Sequence, residues 1–223
     1  DLYMYHIERA IFDIRRGLPV VINSGEQRLL VQALEGSRSV DALARLSGAR
    51  PTLVLTRHRL EAMGMSLTAE AACLPLPEHV SEHELNQLAV ANAATKPSAL
   101  LSGLKPAGAA ERSAVALMRR ALLIPAALTA GVSERAQEEV AEQIAQGRLL
   151  EVKAEEALAC LAGAPGMLKR VSEANIPLED APNSRFVLFR EPDGLREHVA
   201  VVIGQLDSLE GPVPLRMHSA CLT

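Results

Sequence analysis

The sequence predicts an α/β (α+β) fold in two parts, on three observations. Runs with helical period alternate with short β-branched runs from residue 7 to residue 161, which argues for helices layered on a sheet. After a stretch rich in Gly, Pro and Asn the pattern turns to strands alone. Hydrophobic residues make up 48% of the chain but aromatic ones only 2%, with Trp 0, so the core must be built from Ala, Leu, Val and Ile. Such a core suits helices packed closely on a buried sheet.

Ile7, Ala10, Ile11 and Ile14 recur at helical spacing before Arg15-Arg16-Gly17, where basic residues suit a helix end and Gly17 stops it. Pro19-Val20-Val21-Ile22 reads as a buried strand, and Asn23-Ser24-Gly25 turns the chain into a second strand over residues 28–34. Ser39 caps a helix running to Leu46, residues 52–56 form a strand, and residues 57–63 continue as a helix. Further helices are expected over 81–93, 110–123, 134–145 and 154–161, with strands near 99–102, 126–129 and 149–152.

Residues 163–182 carry Ala164-Pro165-Gly166 at one end and Ala181-Pro182-Asn183 at the other, a composition typical of a domain junction. Strands are then expected over 185–189, 198–204 and 213–217. The expected organisation is a domain over 1–163, a linker over 164–183 and a β-rich segment over 184–223.

Lys+Arg number 23 against Asp+Glu 27, a net charge of -4, which leaves no electrostatic footprint for nucleic acid. The apolar run 121–130 is far shorter than the roughly 20 residues of a bilayer span and is broken by Pro125, so no membrane partner is expected. Cys73, Cys160 and Cys221 form no C-x-x-C pair and no signal peptide opens the chain, which points to the cytoplasm. The chain starts at Asp1 without an initiator methionine and stops inside a motif, so it is expected to be a fragment.

Several candidate sites have simpler readings. His79 and His83 are four residues apart, but Ser81 and Glu84 form a capping box that starts the helix after His79 and separates the rings. His58, between Arg57 and Arg59, reads as surface. Residues 103–108 precede a helix yet match no phosphate-binding fingerprint, so a plain strand-to-helix turn is expected. Arg15-Arg16 and Arg119-Arg120 offset helix dipoles.

The terminal run Arg216-Met217-His218-Ser219-Ala220-Cys221-Leu222-Thr223 resembles the R-V-H-S-E-C-L-T segment of GTP cyclohydrolase II. Glu197-His198-Val199-Ala200, Gly204 and Val213-Pro214-Leu215 extend the likeness upstream, while Ala220 departs from the family's Glu. The resemblance implies that Arg216, Met217, His218, Ser219 and Ala220 belong to a GTP-binding segment and that Cys221 is the first zinc ligand. The family's other two zinc cysteines follow in a C-D-C-G run that this sequence does not contain. A catalytic zinc needs three protein ligands and an open position for water, so no catalytic residue is assigned within this chain and the chain alone is expected to be inactive. For the complete protein the resemblance implies zinc-dependent opening of the GTP imidazole ring with loss of formate and pyrophosphate, the first step of riboflavin biosynthesis.

Residues 7–163 resemble 3,4-dihydroxy-2-butanone 4-phosphate synthase more faintly, through the helix ending in R-x-G before P-V-V-I and through the helix and L-x-P-A-x-L strand of 111–130. The synthase's acidic D-E-x-R-E-N-E-G-D loop is replaced here by Asn23-Ser24-Gly25-Glu26-Gln27-Arg28, and its G-H-T-E by Gly108-Ala109-Ala110-Glu111. Magnesium needs hard oxygen ligands that this pattern lacks, so neither magnesium nor synthase activity is expected in this domain, and Glu111 reads as a helix first-turn acid. The domain is expected to be structural, in a homodimer; the alternative is a non-catalytic metabolite-binding or regulatory module of riboflavin biosynthesis.

Overall fold

A computed structural model describes residues 2–25, 27–36, 40–90, 100–159, 168–192, 194–208 and 210–218. By internal contacts the chain divides into two compact units, Asp1–Ala164 and Pro165–Thr223.

The first unit begins with α1 (Leu2–Arg15), then β1 (Val20–Asn23), β2 (Arg28–Ala33), α2 (Val40–Ser47), β3 (Thr52–Thr56), α3 (Arg57–Ala62), β4 (Ala71–Pro75) and α4 (Glu82–Val90). A 3-10 turn (Leu100–Gly103), β5 (Lys105–Pro106), α5 (Ala109–Arg120), β6 (Ala126–Gly131), a second 3-10 turn (Glu134–Ala136), α6 (Gln137–Ala145), β7 (Glu151–Lys153) and α7 (Ala154–Ala159) complete it. The strands form one seven-stranded mixed sheet in the order β5-β4-β3-β6-β2-β1-β7. All neighbours are antiparallel except β1 and β7, which run parallel with Asn23 opposite Lys153.

Helices cover both faces of this sheet, which is why its strands read as unbroken apolar runs. Val20, Val21 and Ile22 of β1 are all fully buried although they alternate between faces. Val21, Leu30, Leu53, Leu55, Leu74, Leu128 and Ala130 share one core with Leu43 of α2, Leu60 of α3, Leu85 and Leu88 of α4 and Val140 of α6. On the opposite face α5 packs against β1, β2, β3 and β6, and against α1 and α7. The stripe Ala110, Ser113, Ala114 and Leu117 of α5 is buried there, and the small side chains let α7 approach closely. Ser113 Oγ lies 2.6 Å from Ala109 O and 2.9 Å from Ala154 O, so one hydroxyl ties α5 to α7.

The α5 C-terminus departs from the usual glycine stop. Leu122 takes φ 58, the left-handed conformation of a helix-ending residue, and its side chain is exposed. Leu122 N–H donates to Arg119 O and Leu123 N–H to Met118 O, and Arg15 reaches from α1 to donate to Ala121 O.

The second unit is a three-stranded antiparallel sheet, β8 (Lys169–Asn175), β9 (Ser184–Arg190) and β10 (Glu197–Ile203), in the order β10-β9-β8, followed by a 3-10 turn (Leu206–Ser208). Among its described residues only Ser184 and Val187 are buried, while Val199, Val201 and Ile203 stay exposed.

Three expectations need correction, and one strand is added to them. Leu100–Gly103 is a 3-10 turn rather than a strand, and the strand that pairs there is Lys105–Pro106 against Ala72 and Cys73. The segment expected as a linker contains β8, whose backbone groups pair with β9 despite the Gly and Pro around it. Residues 213–217 form no strand and join no ladder among the described residues. Finally, Ala71–Pro75 was not expected as a strand; its alanines pair in register with β3, Ala72 opposite Leu55.

Candidate functional site

The segment expected to bind GTP follows the small sheet. A seven-residue register between β9 and β10 sets Glu197 opposite Arg190 and His198 opposite Phe189. The Arg190 guanidinium donates through Nε and Nη2 to Glu197 Oε1 at 2.8 and 2.6 Å, and His198 Nε2 lies 3.1 Å from Glu191 Oε1. Arg190, Glu197 and His198 are exposed, so the pairs fix the hairpin more than they stabilise it. Beyond Gly204, whose N–H donates to Asn183 O, the chain runs to Arg216, Met217 and His218 outside any helix or strand. Met217 is 95% exposed, and Arg216 Nη1 donates to the carbonyl of Leu215 beside it, so the guanidinium keeps most of its donors available. Ser219, Ala220 and Cys221 lie outside the described residues. Among the described residues no three His, Cys, Asp or Glu side chains converge, so they do not by themselves make a zinc site.

In the first unit the loop that would carry the synthase's acidic cluster is occupied by its own turn. Asn23 Oδ1 accepts the Gly25 N–H at 2.8 Å, Gly25 takes φ 87, and Ser24 N–H and Oγ both donate to Gln27 O. Arg28 is held by Glu151 at 2.6 Å. The loop borders a cleft of about 380 Å³ that includes Lys153 and Glu155, brought there by the parallel pairing of β1 with β7. Glu26 lies outside the described residues.

Glu111 stands in the first turn of α5, its Oε2 2.9 Å from where a Cβ on Gly108 would sit. It faces no described metal-binding cluster. Burial, with the Glu111 charge second, pushes the thiol of the partly buried Cys73 up to about 12, which disfavours the reactive thiolate at neutral pH.

The capping box at α4 is present. Glu84 N–H donates to Ser81 Oγ at 3.2 Å, and Ser81 N–H and Oγ each donate to Glu84 Oε2 at 2.9 Å. The Ser81 backbone N–H, then its hydroxyl, hold the Glu84 carboxyl below its usual range. His79 precedes the helix and His83 Nε2 sits 2.9 Å from Gln87 Nε2, so the two imidazoles have separate surroundings.

Residues 103–108 run through β5 into α5, a strand-to-helix junction closed by Ala107 N–H on Ala71 O and by Arg112 Nη1 on Ala107 O. His58 is exposed on the rim of a cleft with Arg57 and Arg112. Another cleft, of about 560 Å³, was not legible in the sequence: Arg45 and Arg50 meet Arg135, 85 residues further along, and no local motif links them.

The family model of GTP cyclohydrolase II matches residues 169–223. A GTP cyclohydrolase-2 of Azospirillum brasilense is 33% identical over 238 residues, covering 99% of this chain and 58% of the relative. A GTP cyclohydrolase-2 of Xylella fastidiosa, strain Temecula1, is 31% identical over 220 residues, covering 97% of this chain and 52% of the relative. The chain thus spans a little over half the length of these curated relatives. Among solved structures, RibBX, a two-domain 3,4-dihydroxy-2-butanone 4-phosphate synthase from A. baumannii, matches with TM-score 0.54 and 16% identity, covering 89% of this chain and 70% of that one. At that identity the likeness is one of fold.

Proposed function

We propose, from the premise that this chain is similar to GTP cyclohydrolase-2 along its whole length, that it is part of a long-form GTP cyclohydrolase II polypeptide of riboflavin biosynthesis. One observation carries this reading: a single relative, 33% identical, aligns with 99% of the chain, so the fused arrangement itself is shared. The first unit then corresponds to a degenerate synthase-like domain, and residues 169–223 open the cyclohydrolase domain.

For the complete polypeptide the proposed activity is hydrolysis of GTP with release of formate and pyrophosphate, in the cytoplasm and as a homodimer, with zinc as cofactor and no nucleic-acid partner. Arg216 is the residue of this chain best suited to the substrate, because its exposed, planar fork of N–H donors matches phosphate oxygens. Met217, His218, Ser219 and Ala220 complete the GTP-binding segment, and Cys221 would be the first zinc ligand. The first unit lends structure, since the acidic loop and the histidine of the synthase pattern are both replaced.

The test is formate release from GTP. The complete polypeptide should release it, residues 1–223 alone should not, and Arg216→Ala in the complete polypeptide should raise KM by about tenfold or more, the worth of one charge-assisted phosphate contact. A complete polypeptide that leaves GTP intact would sink the proposal.

A further inference from the structure

The first unit contains a cationic cleft that neither the synthase-like nor the cyclohydrolase reading uses. Its volume is about 560 Å³, within the roughly 300–1,000 Å³ range of small-molecule sites. Arg45 stands in the last turn of α2, Arg50 precedes β3, and Arg135 lies in the 3-10 turn after β6, so three guanidinium groups from two distant segments border one space.

Two contacts hold these segments in register. Ser133 N–H donates to Ser47 O at 2.8 Å, and Gly48, at φ 66, lies so close to Ser133 that an added Cβ would sit 2.3 Å from its Oγ. The backbone positions of the three arginines are therefore fixed relative to one another.

None of the three guanidinium groups makes a hydrogen bond or ion pair among the described residues, although the side chains of Asp41 and Glu78 border the same cleft and are likewise unpaired. Elsewhere in this unit arginines are engaged: Arg28 by Glu151, Arg59 by the carbonyls of Gln87 and Leu88, Arg112 by Ala107 O. The cleft keeps a formal charge of +1 within a chain of net charge -4.

We infer that this cleft is an anion-binding site of the first unit that takes a small molecule bearing a phosphate or pyrophosphate group. Guanidinium forks bind such tetrahedral oxyanions through paired, charge-assisted hydrogen bonds, and the rigid Pro51 wall leaves room beside them for the rest of the ligand. The inference does not depend on the cyclohydrolase reading, because binding is measured on this chain and formate release is not.

Inorganic pyrophosphate and ribose 5-phosphate, each titrated calorimetrically into residues 1–223, are the probes. Saturable binding below about 1 mM is expected for at least one. Arg135→Gln should weaken it by about tenfold, as expected for loss of a charge-assisted contact, and the triple variant Arg45→Gln, Arg50→Gln, Arg135→Gln should abolish it. Arg148→Gln, an exposed arginine outside the cleft, should leave it unchanged. In the unsubstituted chain the amide resonances of Gly48 and Arg135 should move with the same saturation, a readout that needs no variant. Preference for pyrophosphate would identify a polyphosphate ligand and preference for ribose 5-phosphate a sugar phosphate. No saturable binding by either probe, binding retained in the triple variant, or equal loss in Arg148→Gln would overturn the site.

Discussion

The two units use strands in opposite ways. In the first, seven strands lie between helices on both faces, and side chains on each face are buried: Val21 and Leu30 on one, Val20 and Ile22 on the other. In the second, β9 and β10 are just as apolar in sequence, yet Val199, Val201 and Ile203 remain 57%, 47% and 64% exposed. An apolar strand contributes stability only through what covers it, and three strands alone bury little. The first unit carries its own core, whereas the second presents apolar surface of the kind that marks an interaction or packing site.

The sharpest way to break this comparison is a matched pair of truncations. Leu117→Ala, at a fully buried position of α5, should cost about 2–5 kcal/mol, whereas Val201→Ala on the open sheet should cost less than about 0.5 kcal/mol. Urea unfolding of both variants checks it, and equal losses would mean that the small sheet is as well covered as the large one. Next in size is Gly48→Ala, which forces a Cβ against Ser133 and a left-handed backbone on alanine. A loss of roughly 1–3 kcal/mol in thermal unfolding is expected.

The cap of α4 tests a smaller contribution in the same unit. Ser81→Ala should cost about 1 kcal/mol at neutral pH. The Glu84 carboxyl is held below its unfolded value by Ser81, so its contribution is present above the unfolded carboxylate pKa and is lost as pH falls through the lower folded value. The gap between parent and variant should therefore narrow in acid, which unfolding curves at about pH 7 and about pH 3 would reveal. Smallest of all, Leu122→Gly relieves a left-handed backbone at an exposed position and should stabilise the first unit by about 0.5–1 kcal/mol, read as a rise in its melting temperature.

How much of this was legible in the sequence depended on whether the signal was local. The run Val20-Val21-Ile22, the helical spacing of Ile7 to Ile14 and the box at Ser81 and Glu84 each sit within a few residues, and each is found where expected. Strand β4 was hidden because Ala71-Ala72-Cys73-Leu74-Pro75 lacks β-branched residues and becomes a strand through its pairing with β3. Residues 213–217 failed the other way, being strand-like in sequence but without a partner among the described residues. The cationic cleft was invisible because its arginines belong to segments joined only by the fold. The terminal motif was plain in the sequence, although its last residues lie outside those described.

The parallel pairing of β1 with β7 sets a timetable for synthesis. The sheet begins near residue 20 but its edge is not laid down until residue 153, when Val21 gains its partner at Glu151. A nascent chain must therefore hold the apolar edge of β1 open while more than half of the first unit is still being made, an interval in which that edge is exposed to misassociation. Only after β7 leaves the ribosome do the strands of the small sheet follow, at a time when the large sheet has just become able to close.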